Sequence, residues 1–181
     1  LGARVAEAMV RGYQGDLSDP SSVLACVKHF AAYGAPQAGR DYHTVDMSER
    51  TFREVYLPPY RAALDAGAAT VMTSFNDYDA IPATGSRYLM TDLLRRELGF
   101  NGFVVTDYSS INEMVNHGVA EDLKDAARLA VRAGVNMDMV GNGYLKYMKE
   151  LVEEGKISVR EIDDLCAQVL AMKFRLGLFD D

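Results

Sequence analysis

The polar residues that could carry out chemistry stand at the ends of four apolar runs in the sequence. They are Lys28 and His29, then Thr73, Ser74, Asn76 and Asp77, then Asp107, and finally Asp138. A carboxylate can act as a nucleophile or transfer a proton, and lysine and histidine side chains can bind hydroxyl groups of a ligand. Asp107 is the most informative of them because it ends the apolar stretch GFVV, where a charged group needs a partner or a function.

Several of these residues also have a purely structural interpretation. Asp107 could cap a following helix, although a neighbouring serine could do so equally well. His29 could be a hydrogen-bonded core residue, and Asp138 could have a structural partner. Lys28 is harder to explain in this way, because a lysine inside a buried strand is rarely left unpaired.

Four strand-like runs carry these residues, and helical patterns separate the runs. The runs cover residues 23–30, 69–75, 103–106 and 135–140. The helical patterns cover residues 48–64, 88–98, 120–133, 144–154 and 159–176, and an apolar stripe predicts a further helix at the start of the chain. Strands that alternate with helices of this length indicate an α/β fold with a parallel sheet. Since parallel strands end at one rim, the polar residues should converge on one pocket.

Four such units are too few for a closed eight-stranded barrel, which needs about 250 residues. The chain of 181 residues is therefore either a small open doubly wound sheet or half of a barrel. The one long irregular stretch, residues 34–45, follows a strand and is a candidate substrate loop. Arg40 and Asp41 could form a surface ion pair in it, and we expect Asp77 and Asp79 to lie in an exposed turn.

The composition is that of an ordinary globular domain, with 49% hydrophobic and 25% charged residues. The net charge of −7 argues against a nucleic-acid partner. No apolar stretch approaches the roughly 20 residues of a membrane helix, so no membrane partner is expected. Cys26 and Cys166 are predicted to be buried free thiols. Because the chain begins with Leu1 rather than Met, we expect a truncated start, and the compartment stays open between cytoplasm, periplasm and cell exterior.

Seven motifs, taken in order, resemble glycoside hydrolase family 3, and its β-glucosidase-like members in particular. They are KHFAAYG at 28–34, GRDY at 39–42, YLPPY at 56–60, VMTSFND at 71–77, GFVVTDY at 102–108, AGVNMDM at 133–139 and KFRLGLFD at 173–180. The resemblance implies that residues 1–181 are part of the family's N-terminal (β/α)8 domain, a half-barrel made of TIM-barrel strands five to eight. It also implies that the C-terminal domain, which usually supplies the acid/base glutamate, is absent from this chain.

The resemblance further implies a retaining glycosidase in which Asp107 is the nucleophile and forms a covalent glycosyl-enzyme. The second carboxyl group of such an enzyme lies about 5–5.5 Å away and serves as acid and then as base. The nucleophile must be ionised, and the ammonium group of Lys28 would favour its charged form. The expected substrate is a β-glucoside or an oligosaccharide, and we expect neither a metal nor an organic cofactor.

Six further residues match substrate-binding positions of the family. They are Lys28, His29, Arg40, Met72, Phe75 and Tyr108. Adjacent strand residues normally point to opposite faces, so Lys28 and His29 can reach one site only from a distorted backbone, and the resemblance implies non-proline cis bonds there. Phe75 replaces a tyrosine often found in the family. Tyr108 replaces a tryptophan, and it could stack on the leaving-group sugar with less area.

Three alternatives stay open. Asp41 and His43 have the D-x-H spacing with which family members acting on N-acetylglucosaminides place their acid/base, although those members carry KHFPGHG where this chain has KHFAAYG. The chain could also be a non-catalytic half-barrel that pairs through its open strand edges with the missing half or with a second copy of itself. The third alternative is a small α/β binding module unrelated to glycosides.

Overall fold

The computed structural model describes residues 1–19 and 21–180. Its strands are β1 (Cys26–Phe30), β2 (Thr70–Thr73), β3 (Asp77–Tyr78), β4 (Ile81–Pro82) and β5 (Phe103–Val105). Strands β1, β2 and β5 form a parallel sheet in that order, and β3 and β4 form a separate antiparallel pair. The predicted parallel α/β arrangement is therefore confirmed. The predicted domain extends to residue 181, which lies outside the described residues.

Helices follow the strands at nearly all the predicted places. They are α1 (Gly2–Gln14), α2 (Glu49–Thr51), α3 (Leu57–Asp65), α4 (Ser110–Asn116), α5 (Leu123–Ala133), α6 (Gly143–Glu153) and α7 (Val159–Arg175). The π-helix Phe52–Tyr56 joins α2 to α3, and a second π-helix covers Tyr88–Glu97. Only α4 was not assigned from the sequence. None of the helices described is both long enough and apolar enough to cross a membrane.

Local sequence signals explain where two of these helices begin or end. At the start of α7, Ser158 and Glu161 form a reciprocal capping box: the serine hydroxyl accepts from the Glu161 N–H, and the glutamate accepts from the Ser158 N–H. The carboxylate of Asp122 accepts from the N–H of Asp125 at 2.8 Å at the start of α5. That helix ends at Gly134, whose φ of 96° belongs to the left-handed region that glycine tolerates best.

One continuous apolar core lies between the sheet and the helices. Its largest fully buried side chains are Phe30, Phe52, Leu89, Met90, Leu93, Leu94, Ile111, Met114, Leu151, Val45, Val71 and Val104. Val71 and Val104 pair in register between β2 and β5, and both are fully buried. These strands are short apolar segments, as expected for a parallel sheet covered by helices. The core therefore fixes the carboxyl ends of the strands, which we call the rim.

The fourth predicted strand, at 135–140, is wrong in extent. It is reduced to one parallel bridge between Met137 and Val105, supported by a hydrogen bond of 2.9 Å from the Thr106 N–H to the Met137 carbonyl. The chain then leaves the sheet, and Val140 has a φ of 66°, which an extended strand does not allow. The rim nevertheless gains this fourth short segment beside β5.

Strand β1 is the edge of the sheet, because only β2 pairs with it in the part of the chain that the structure describes. Val27 is buried, whereas Cys26 and Lys28 are exposed on the opposite face. The prediction of a buried Cys26 is wrong for this reason. The exposure of Lys28 also explains how a strand can carry this residue without an ion-pair partner among the described residues. Cys166 is also exposed, on α7, so its predicted burial is wrong too, and both thiols are free, as predicted.

Candidate active site

Asp107 stands directly after β5 on the rim. Its side chain is 16% exposed, and its Oδ2 atom lies 3.2 Å from Nε2 of His29. Its Oδ1 atom accepts a hydrogen bond of 2.7 Å from the backbone N–H of Tyr108. The preceding residue, Thr106, is fully buried and is held by the backbone of Met137. The carboxylate is therefore fixed in position while part of it stays open to solvent.

The helix-capping alternative for Asp107 is not observed. Helix α4 begins after Ser109, whose side chain makes no capping hydrogen bond. The Asp107 carboxylate accepts from Tyr108, which precedes the helix, rather than from an N–H group of the first turn. Capping does not account for this carboxylate, and its partner is the imidazole of His29.

His29 lies near the end of β1 beside this carboxylate, and it directly follows the exposed Lys28. The Lys28–His29 peptide bond is cis, and so is the next but one, as the family resemblance implies. The register between β1 and β2 is irregular at this point. The hydroxyl of Tyr60 donates a hydrogen bond of 2.5 Å to the carbonyl of His29 and so holds the strand end in place. The His29 side chain is 26% exposed, between core and solvent.

The charge state of His29 follows from its surroundings. Its pKa lies below the ordinary value, mainly because burial disfavours the imidazolium and also because the Lys28 ammonium lies nearby. Asp107 and Asp41 act in the opposite direction without reversing the shift. The lowered pKa favours the neutral imidazole, whose Nε2 atom lies 3.2 Å from Oδ2 of Asp107.

An aromatic wall runs from His29 to the loop at 34–45. The ring of Tyr33 meets His29 edge-on with 5.0 Å between the ring centroids. Phe75 lies 6.1 Å from Tyr33 and 4.4 Å from Tyr42. The Tyr33 hydroxyl donates to Asp41, and its pKa is raised, first by burial and then by this hydrogen bond. The candidate substrate loop therefore borders the same rim as His29.

The other predicted binding residues are distributed unevenly around the site. Phe75 is buried in the aromatic wall, and Tyr108 is 62% exposed next to the nucleophile candidate. Met72 is half-buried in β2, where it pairs with Val105. Arg40 is exposed at the end of the 3-10 turn Gln37–Gly39. Sequence reasoning did not single out Tyr33, although it lies within the quoted motif KHFAAYG.

Asp41 and His43, the loop residues considered as an alternative acid/base, lie in different surroundings. Asp41 accepts from Tyr33 and from the backbone of Tyr42. His43 is exposed and lines a neighbouring cavity. Arg40 makes no ion pair in the described part of the chain, so the surface pair with Asp41 considered from the sequence is absent.

The expectation of an exposed turn is right for Asp79 and wrong for Asp77. Asp79 is exposed with a φ of 55°, whereas the side chain of Asp77 is only 8% exposed in β3. The hydroxyl of Thr44 donates to Asp77 Oδ2 at 2.8 Å, and Nδ1 of His117 lies 3.7 Å from the same oxygen. The loop and the end of α4 thus cover this carboxylate, which local sequence could not reveal.

Asp138 has the structural partner considered for it. Its Oδ2 atom accepts a hydrogen bond of 3.2 Å from the backbone N–H of Tyr144. Over residues 1–19 and 21–180, no three His, Cys, Asp or Glu side chains are placed to share a metal ion.

The arrangement suits an uncharged ligand rich in hydroxyl groups. The carboxylate of Asp107 and the neutral imidazole of His29 can exchange hydrogen bonds with hydroxyls, and the aromatic wall can pack against the apolar face of a ring. A fixed carboxylate next to an electrophilic carbon can also attack it and form an ester.

Comparison with known proteins identifies the family. The family described as "Glycosyl hydrolase family 3 N terminal domain" matches residues 1–172. A "Periplasmic beta-glucosidase" of Salmonella typhimurium is 46% identical over 97% of this chain, and a "Beta-xylosidase" of Formosa agariphila is 35% identical over 99% of it. A β-glucosidase from Listeria innocua, solved in complex with isofagomine, has a TM-score of 0.96 at 45% identity over 99% of this chain.

The chain spans 23%, 27% and 26% of the lengths of these three proteins. The match over residues 1–172 shows that the chain belongs to glycosyl hydrolase family 3 and lies within the N-terminal domain of that family.

Proposed function

We propose that the protein is a retaining glycoside hydrolase that removes terminal β-linked glucosyl residues, with Asp107 as its nucleophile. The observation that carries the proposal is the position of Asp107 on the rim, partly exposed and 3.2 Å from His29. The glucosyl preference is supported by the names of the Salmonella and Listeria relatives, which are β-glucosidases. The Formosa relative is named a β-xylosidase, so a xylosyl substrate is the nearest competing assignment.

In the proposed reaction, a carboxylate oxygen of Asp107 bonds to the anomeric carbon as the bond to the leaving oxygen breaks. An acid protonates that oxygen, and the same group then removes a proton from water, which attacks the carbon and frees Asp107. We place the acid/base outside residues 1–181, in a C-terminal domain, as the family resemblance implies. The proposed sugar-binding residues are Lys28, His29, Arg40, Met72, Phe75 and Tyr108.

We also propose that the sheet corresponds to strands five to eight of a (β/α)8 barrel. Support comes from the edge strand β1, whose Cys26 and Lys28 are exposed on one face, and from the quarter-length match to the relatives. Preceding strands would then cover β1. A second copy of the chain could cover the same edge, which is the self-associating scaffold alternative, and the mass of residues 1–181 in solution distinguishes the two. Because the Salmonella relative is named periplasmic, cell fractionation should test that compartment first.

Covalent trapping tests the nucleophile directly. A 2-deoxy-2-fluoro β-glucoside with a good leaving group should label the full-length protein, and peptide mapping should place the label on Asp107. Asp107→Asn should not be labelled and should lose at least about a thousandfold in kcat/KM on an aryl β-glucoside, because the bond-forming oxygen is no longer charged. The control Asp163→Asn, an exposed position on α7, should retain labelling and turnover.

Two results would count against this assignment. A label on another residue would remove Asp107 from the nucleophile position. Activity on an aryl N-acetylglucosaminide that is lost in Asp41→Asn would instead support the loop acid/base of the N-acetylglucosaminidase type.

A further inference from the structure

The turn that carries Asp107 is hydrogen-bonded to one short segment, residues 137–141, which we call the strap. On the side before Asp107, the N–H of Thr106 donates to the Met137 carbonyl at 2.9 Å. The Thr106 hydroxyl accepts from the N–H of Met139 at 2.8 Å. Thr106 is fully buried, so water cannot replace these two hydrogen bonds unless the strand end moves. The strap therefore sets the position of the residue that precedes the proposed nucleophile.

The same strap holds the residue that lies two places after Asp107. Ser109 has a φ of 55°, in the left-handed region that residues other than glycine rarely adopt. Because this conformation is unfavourable by itself, it depends on contacts from outside the turn. The N–H of Ser109 donates to the Met139 carbonyl at 2.9 Å, which is such a contact. Both flanks of the proposed nucleophile are thus bonded to one segment.

Asp138 joins the strap to the first turn of α6. It carries the only polar side chain of the strap, whose sequence is MDMVG. Its Oδ2 atom accepts a hydrogen bond of 3.2 Å from the backbone N–H of Tyr144. The hydroxyl of Tyr144 donates to the carbonyl of the fully buried Val135 at 2.8 Å, shortly before the strap begins. The strap is therefore tied to the body of the protein through Asp138.

Gly141 leaves the space in which the Asp138 carboxylate lies. A Cβ atom at Gly141 would be 2.4 Å from Asp138 Oδ1 and 2.6 Å from Asn112 Oδ1, far closer than atoms in contact. Both oxygens are buried and have no hydrogen-bond partner among the described residues. An amide nitrogen in place of Asp138 Oδ1 would lie beside Asn112 Oδ1 as a donor, while the remaining oxygen could still accept from Tyr144.

We propose that Asp138 is a positioning residue, which through the strap holds the Asp107 carboxylate where it can attack the anomeric carbon. The inference rests on the proposed function. A misplacement of about 1 Å can lower the rate of a reaction about a hundredfold, so the strap matters even though Asp138 acts through the backbone and not on the sugar. This role requires an acceptor for the Tyr144 N–H and the shape of an aspartate. It does not require a negative charge.

The test separates attack by Asp107 from binding of the sugar in the full-length protein. With a 2-deoxy-2-fluoro β-glucoside, we would measure the rate constant of covalent labelling at saturation and the dissociation constant of the reagent. Asp138→Ala should lower that rate constant about 10- to 100-fold and change the dissociation constant less than about threefold. For p-nitrophenyl β-glucoside, kcat should fall and KM should stay nearly constant. Asp163→Ala, at an exposed position on α7, should change none of these values.

The conservative variant Asp138→Asn distinguishes positioning from chemistry at the carboxylate. It keeps an acceptor for the Tyr144 N–H, so it should regain most of the labelling rate that Asp138→Ala loses. A loss in Asp138→Asn as large as that in Asp138→Ala would show that the charge itself is required, and would overturn the proposal. Gly141→Ala should lower the labelling rate because its Cβ atom displaces the carboxylate, whereas Gly12→Ala, with no neighbour within 4 Å, should not.

The outcomes separate this inference from the proposed function. If Asp107 of the wild type is labelled and folded Asp138→Ala is labelled equally fast, the positioning role is refuted and the glycosidase stands. If no label appears on Asp107 in the wild type, the proposed function fails first. If the melting curve shows that Asp138→Ala does not fold, Thr106→Val takes its place, because it removes the acceptor of the Met139 N–H and keeps the shape of the side chain. An unchanged labelling rate in Thr106→Val would then refute the strap on which the role of Asp138 depends.

Discussion

Gln14, the last residue of α1, joins the beginning of β1 to the beginning of β2. Its Oε1 atom accepts from the backbone N–H groups of Ala25 at 3.0 Å and Ala69 at 3.1 Å. Its Nε2 atom donates to the carbonyl of Gly67 at 2.6 Å. Gln14, Ala25 and Ala69 are all buried. This one side chain therefore satisfies two buried amides at the end of the sheet opposite to the rim.

Replacing Gln14 with leucine introduces an apolar side chain of similar size and removes all three hydrogen bonds. Each of the two buried amides would lose its acceptor, at about 1–3 kcal/mol, so we expect a loss of about 2–6 kcal/mol. The Gly67 carbonyl adds little because that residue is exposed and can bind water. Typical domains are stable by only about 5–15 kcal/mol, so the change is large.

Native-state hydrogen exchange at the amides of Ala25 and Ala69 measures this effect locally. Both amides should exchange faster in Gln14→Leu. Gln37→Leu is the matched control, because the Gln37 side chain makes no hydrogen bond in the part of the chain that the structure describes, and it should leave both amides protected. A loss of protection below about 1 kcal/mol in Gln14→Leu would refute the reasoning, since buried amides would then not depend on this acceptor.

Two further substitutions test packing and charge. Gly102→Ala should prevent folding into soluble protein, because a Cβ atom there would lie 1.9 Å from the backbone oxygen of Ala69. Gly12→Ala is the control, since a Cβ atom at Gly12 would have no neighbouring atom within 4 Å. The melting temperature of this control should equal or exceed that of the wild type. The pKa of His29 is lower in the folded protein than its ordinary value of 6.5. Below about pH 6.5 the unfolded chain therefore binds a proton that the folded chain lacks, and the free energy of unfolding decreases as the pH is lowered. His29→Gln should lessen that loss in urea unfolding at about pH 7 and about pH 5, and parallel losses in both proteins would contradict the assigned shift.

The meeting of His29 and Asp107 was predictable from the sequence for a topological reason. Parallel strands end at one side of a sheet, so two polar residues that each end such a strand are brought together whatever separates them along the chain. The apolar runs of β1 and β5 were strong enough to locate both ends. The family motifs then suggested a catalytic or binding role for His29 and Asp107. The pattern of apolar and polar residues alone does not provide such a role.

The errors concern positions where distant parts of the chain decide the environment. Asp77 follows a strand and resembles a turn residue, yet Thr44 and His117 cover it from another loop and from the end of α4. Cys26 lies in an apolar run, but its burial depends on whether something covers the outer face of an edge strand. Val140 continues an apolar pattern while its backbone has already left the sheet. None of these outcomes is encoded within a few residues of the position concerned.

The distribution of unsatisfied polar groups separates the two ends of the sheet. At the end opposite to the rim, Gln14 satisfies the amides that the strand beginnings present. In the described residues, the buried side-chain oxygens and nitrogens without a hydrogen bond are those of Asn76, Asp77, Asn112 and Asp138. Each of them follows the carboxyl end of a strand or of the Met137 bridge. Because buried polar atoms in native proteins are rarely left unpaired, these oxygens give the rim unused hydrogen-bonding capacity, whereas Gln14 satisfies the strand beginnings at the opposite end.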